Sequence, residues 1–209
     1  MIYTSYDYLS KYYDTLGEII ALARLDKYSN EHIEKTLASS KMILELENSD
    51  ITLIAFSSSS ILYRSMFPNG NASINDIALF DKNYWIGEMY ISVFLKYKLT
   101  FEAIFTILPL EAMEYQYKLY HEMDISNFYE YFESLLKEET LFSRFLRVKK
   151  ISAVKLASLT GISLSTIRSI KEGKRDIKKT QVGLIENIAS TLGVNIRSLL
   201  YPITLAISE

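Results

Sequence analysis

Eleven basic residues fall between Arg144 and Lys179, namely Arg144, Arg147, Lys149, Lys150, Lys155, Arg168, Lys171, Lys174, Arg175, Lys178 and Lys179. Only Glu172 and Asp176 oppose them, so the segment carries a net charge of +9. Residues 1–143 hold 11 basic and 21 acidic side chains, a net −10, so the overall charge of −2 conceals two regions of opposite sign. Ammonium and guanidinium groups at that density are the electrostatic footprint of a polyanion partner. A charge run is usually just a solvated face, but this one coincides with a patterned segment that gives it a use.

Other chemistries find little support. His32 and His121 are the only histidines, neither sits in an H-E-x-x-H pattern, and there is no Cys to supply a thiolate or a disulfide. There is no Walker-type loop, G-x-G-x-x-G run or G-x-S-x-G elbow. Glu111, Glu114, Lys118 and His121 fall on one polar helix face, which reads as a solvated stripe. No catalytic residue, metal ligand or cofactor is expected, and the chain reads as a non-enzyme.

The patterned segment is Ser152 to Arg175, SAVKLASLTGISLSTIRSIKEGKR. Leu156 and Ala157 supply the inner face of a first short helix. Gly161 ends it, because only Gly takes the left-handed conformation without a Cβ penalty. Ser163 is placed to cap a second helix, whose Ile167 and Ile170 return to the same core at i, i+3 spacing. Gly173 stops that helix. Two short helices around a Gly-containing turn form a helix-turn-helix pattern, whose second helix usually enters the DNA major groove.

The segment resembles the Cro/phage-repressor (XRE-type) helix-turn-helix family, whose pattern is roughly S-Q-x-x-L-A-x-x-x-G-V/I-S-x-S-T-I-S-R-I-E-N-G-x-R. Ser152, Leu156, Ala157, Gly161, Ile162, Ser163, Ser165, Thr166, Ile167, Ile170, Gly173 and Arg175 match it in register. The likeness continues through LIENIASTLGVNIRSLL, Leu184 to Leu200, as the family's fourth and fifth helices, with Gly193 where the fourth should end. It covers about residues 138–202, a third of the chain.

The resemblance implies binding to double-stranded DNA. It places Leu164, Ser165, Arg168 and Ser169 against the bases, and Lys149, Lys150, Lys155, Thr166, Lys174, Arg175, Lys178 and Lys179 against phosphates. Arg168 has the fork for a guanine, Leu164 suits a thymine methyl, and serines discriminate weakly, so few base pairs are expected to be firmly specified. The chain departs from the family at Ala153, where Gln is frequent, and at Lys171-Glu172, which replace a Glu-Asn pair and bring a carboxylate near DNA.

The elements that must position this segment read as all-α. All ten Phe, the single Trp and 15 of the 16 Tyr precede residue 146, which suggests two differently built cores. The expected organisation is a Tyr-rich helical domain over 1–137, for sensing, dimerisation or partner binding, followed by a five-helix repressor-like domain over 138–209. Helices are expected over about 7–27, 30–48, 50–66, 84–99, 101–108, 109–123 and 125–148, the last running directly into the C-terminal module. Ser29 or Asn30, Thr100 and Asp124 are candidate N-caps, and Pro109 suits a first helical turn. Trp85, Ile86, Met89, Tyr90, Val93, Phe94 and Tyr97 form one core-facing stripe.

Residues 67–83 read as a surface connection with a turn at Pro68–Asn71 and a short helix or pinned loop near 74–80. The Ser57–Ser60 run reads as a place of close helix packing. ITLAI after Pro202 suits a short strand or a pairing tail. With no signal-peptide pattern and no apolar run of membrane-spanning length, the chain reads as cytoplasmic, with no membrane partner.

The function expected from the sequence is that of a sequence-specific DNA-binding transcriptional regulator, acting as a homodimer. The alternative is an antitoxin-like protein, whose N-terminal domain holds a protein partner while the helix-turn-helix autoregulates its operon. Tyr-rich helices suit a dimer interface, an apolar ligand pocket or a protein partner equally well.

Overall fold

The computed structural model describes residues 5–50, 52–78 and 82–200, and among them it is all helical, with no strand. No helix among the described residues is long and apolar enough to cross a membrane. Residues 202–209, with the ITLAI segment, lie outside the described residues, as does Tyr201.

The chain divides into two compact units that each use two stretches of sequence, residues 1–96 with 108–125, and residues 97–107 with 126–209. The first unit is built from α1 (Ser5–Leu25), α2 (Asn30–Ala38), α3 (Lys41–Glu47), α4 (Thr52–Phe56), α5 (Ser59–Met66), α6 (Lys82–Tyr97) and α8 (Leu110–Tyr120). The second holds α7 (Phe101–Ile107), α9 (Ile125–Glu138), α10 (Leu141–Val148), α11 (Ala153–Thr160), α12 (Leu164–Lys171), α13 (Val182–Leu192) and α14 (Ile196–Leu200).

This packing differs from the expected division at 137/138. Phe101, Phe105, Phe128, Phe132, Phe142 and Phe145 are buried in the second unit, so its core has an aromatic half that lies early in the sequence. Glu102 fixes α7 there, accepting from the Asn195 N–H and the Ser198 hydroxyl, each at 2.8 Å, at the start of α14. The Tyr97 hydroxyl reaches Glu133 of α9 at 2.7 Å, and its ring meets Phe132.

Three expected helices are each broken in two by a hydroxyl side chain that caps the second piece. Ser40 accepts from the Ile43 N–H, Ser58 from the Ile61 N–H and Thr140 from the Ser143 N–H. Ser and Thr offer the backbone this local alternative to a continuous helix. The Ser57–Ser60 run is therefore the junction of α4 and α5. The expected 125–148 rod is interrupted at Glu139–Thr140. Ser29 and Thr100 cap as expected. Pro109 is the cap residue of α8 and not its first turn, and it has no side-chain hydrogen bond to give.

In the first unit α1 is buried along much of its length, with Leu16, Ile19, Ile20 and Leu22 at most 1% exposed. It crosses α6 where two glycines meet. A Cβ on Gly87 would stand 2.5 Å from the backbone of Tyr13 and Gly17, and one on Gly17 would stand 2.6 Å from the Asn83 carbonyl. Helices approach this closely only where neither carries a side chain. Helix α6 is buried beyond the expected stripe, at Asn83, Gly87, Ile91 and Ser92 as well. The connection after α5 is pinned by Asp26, which accepts from the N–H groups of Asn71 and Ala72 at 2.8 and 3.0 Å and from the Tyr63 hydroxyl. A 3-10 turn, Ile74–Asp76, follows within a Ser73 capping box.

The Leu110 N–H, one of the amides at the start of α8 with no partner inside the helix, goes to the Glu34 carboxylate of α2. Burial pushes the Glu34 pKa up to about 7, against the opposing pull of that hydrogen bond. Protonation of Glu34 thus favours folding. The stability it contributes is complete below the usual carboxylate range and is lost as pH rises through about 7.

Glu34→Gln keeps the acceptor oxygen without the charge. It is expected to raise Tm over the wild type at pH 8, by a margin that narrows toward pH 5. An equal difference at both pH values contradicts the assignment. Replacing a helix-interior Gly by Ala ordinarily stabilises by up to about 1 kcal/mol. Gly87→Ala is expected instead to destabilise by about 1–3 kcal/mol in urea unfolding, through overpacking against backbone.

Candidate nucleic-acid interface

The two short helices α11 and α12 are held by capping at every end. Ser152 accepts from the Lys155 N–H at 3.1 Å to start α11. Gly161 ends it at φ 70°, a left-handed turn that a Cβ would strain. Ser163 accepts from the Thr166 N–H at 3.2 Å to start α12, and Glu172 with Gly173, also at φ 70°, ends it.

Leu156, Ile162, Ile167 and Ile170 are buried, and Ala157, expected beside Leu156, is half-buried. Two polar ties add to this core. Asn187 of α13 donates to the Thr160 carbonyl at 3.0 Å, and the Thr140 hydroxyl donates to the Lys171 carbonyl at 2.8 Å. Helix α13 ends at Gly193, which is left-handed at φ 63°.

With Ile167 and Ile170 inward, the 100° step of a helix turns Ser165, Arg168, Ser169 and Glu172 to the opposite side and leaves Leu164 on the flank. Arg168 and Ser165 are exposed, Leu164 and Ser169 half-buried. No hydrogen bond or ion pair engages the exposed Arg168 guanidinium among the described residues, and its charge acts on Glu172. Ser165 shares a hydroxyl cluster with Ser163 at 3.0 Å, and the Ser163 hydroxyl also lies 2.9 Å from that of Thr166, which is half-buried in the first turn.

The basic segment is mostly available. Ten of its eleven cations are exposed. The exception is Arg144, 6% exposed, which donates to the carbonyls of Leu135 and Glu139 and lies 3.9 Å from the Glu139 carboxylate. It braces α10 against α9. Arg147 pairs with the same oxygen of that carboxylate, Oε2, at 3.0 Å.

Among the candidate phosphate contacts, Lys149 donates to the Gly193 carbonyl at 3.2 Å, at the negative end of α13, and Lys174 pairs with Glu172 at 2.7 Å. Lys150, Lys155, Arg175, Lys178 and Lys179 have exposed ammonium or guanidinium groups with no ion pair among the described residues. The Lys174 hydrogen bond and charge hold the Glu172 carboxyl below its ordinary pKa.

Glu172 is the residue sequence reasoning weighed least well. It lies on the same outward side as Arg168, and its partner is two residues away across a turn, a spacing that helix periodicity does not reveal. The packing thus brings together one outward guanidinium, a weakly discriminating hydroxyl pair, an apolar residue and a neutralised carboxylate, all within a field of cations. Such a surface can hold a phosphate backbone and place Arg168 against a base edge.

No protein-family model, curated protein or solved structure matches the chain.

Proposed function

We propose that the chain is a sequence-specific DNA-binding transcriptional regulator of the Cro/repressor type, which inserts α12 into the major groove and binds operator DNA as a homodimer. The observation that carries this reading is the exposed Arg168, outside any ion pair on the outer side of α12, in a segment that holds nine other exposed cations. An exposed helix of eight residues with a basic surround suits a groove about 12 Å wide. In this reading the chain acts without catalysis, since recognition needs only charge and hydrogen bonds. In this reading the first unit senses a ligand or joins two copies.

A second reading, an antitoxin-like protein whose first unit holds a different protein, is favoured by one feature of α8. Tyr115 and Leu119 follow at i, i+4 on α8 and are 63% and 44% exposed, and Met123, in the turn after the helix, is 54% exposed. A row of large apolar side chains in solvent marks a surface that another chain covers.

Two measurements test these readings. On DNA from the gene's own upstream region, binding is expected at least about a thousandfold tighter than to scrambled DNA, with a steep salt slope. Arg168→Ala is expected to weaken specific binding by about 1–3 kcal/mol and leave scrambled DNA unaffected; an equal loss on both sequences makes Arg168 a phosphate contact. In light scattering, a dimer that Leu119→Lys converts to monomer assigns the α8 row to self-association. A dimer indifferent to that change leaves the row to a heterologous partner.

A further inference from the structure

The first unit holds a cavity of about 390 Å³, within the range of small-molecule sites, where α1, α2, α6 and α8 converge. Its polar wall is Arg24, Asn30, Asp76, Lys82, Asn83 and Glu114. Arg24 is the fixed part. Its side chain is 15% exposed, and its guanidinium donates to the Asn83 and Asn30 side-chain carbonyls and, at 3.4 Å, to the Leu110 carbonyl.

Glu114 is the movable part. One of its oxygens lies 3.3 Å from Arg24 Nη2 and the other 2.9 Å from Lys82 Nζ, and its side chain is 43% exposed. A single carboxylate therefore bridges two cations, one oxygen to each, at the mouth of a cavity. The other acid of the wall, Asp76, is already engaged by the Ser73 N–H at 3.0 Å. The guanidinium is ordered before any ligand arrives, which removes much of the entropic cost of holding an anion. Glu114 can turn to water, where its charge costs little.

We propose that this cavity binds a small organic oxyanion, a carboxylate or a phosphate ester, whose charged group takes the place of Glu114 between Arg24 and Lys82. Glu114 is the internal stand-in for that group and competes with it. Ligand binding would free α8 from its ion pairs to α1 and α6, a change that a sensor requires. The inference rests on the sensing role given to the first unit, and it is tested without DNA. Failure here leaves the DNA-binding reading standing, and failure of DNA binding leaves this site standing.

The test is calorimetric titration of the full chain, at constant ionic strength, with acetate and separately with inorganic phosphate. Saturable binding of at least one is expected, with the responding probe naming the ligand's charged group. Lys82→Gln is expected to abolish it. Glu114→Gln is expected to tighten it several-fold, because the competent, unblocked cavity becomes the majority state. A purely structural ion pair gives neither change. The proposal is overturned by the absence of saturable binding to both the wild type and Glu114→Gln, by a Lys82→Gln chain that binds like the wild type, or by weaker binding to Glu114→Gln. Circular dichroism melting of both variants verifies that they are folded.

Discussion

The orientation of α12 depends on the burial of Ile167 and Ile170. A helix of eight residues is too short to persist in water by its own hydrogen bonds, so its existence and its rotation both come from packing. Once those two side chains are inside, the helix step leaves no freedom over what faces out. Arg168 is outward because Ile167 is inward. The caps at Ser152, Gly161 and Ser163 set the turn between α11 and α12, while the Thr140 and Asn187 bonds hold the ends of those helices to their neighbours. Function, in the proposed reading, is the exposed side of a hydrophobic constraint.

Charge is added to this scaffold in two grades. Arg144, Arg147, Lys149 and Lys174 already have partners within the second unit, a carboxylate or a helix end. Lys150, Lys155, Arg168, Lys171, Arg175, Lys178 and Lys179 have no ion pair among the described residues. Counting basic residues in the sequence overstates what a polyanion would meet, and the unpaired set is the better measure of it.

Local features were the legible ones. Capping serines, the left-handed glycines and the inward isoleucines depend on residues within one turn of each other, and sequence reading placed them correctly. Long-range features were not. Gly17 and Gly87 are 70 positions apart, and nothing in either neighbourhood signals that they meet. The same holds for Arg24, Lys82 and Glu114, whose ion pairs take Glu114 out of the solvated stripe it was expected to share with Glu111, Lys118 and His121. The aromatic count failed as a boundary marker because it records where large side chains occur in sequence. Core membership is decided by which helices return to which unit, and α7 and α9 join the second. The Ser57–Ser60 run was read as a packing site, whereas it separates α4 from α5 and the Ser58 hydroxyl caps α5.

The most direct test of the account is an NMR titration of the labelled chain with an unlabelled duplex from its own upstream region. The account predicts amide shift changes concentrated between residues 149 and 179, largest from Ser163 to Glu172, and the same pattern with a smaller amplitude for scrambled DNA. Changes centred elsewhere in the chain, or none at low salt, would contradict it.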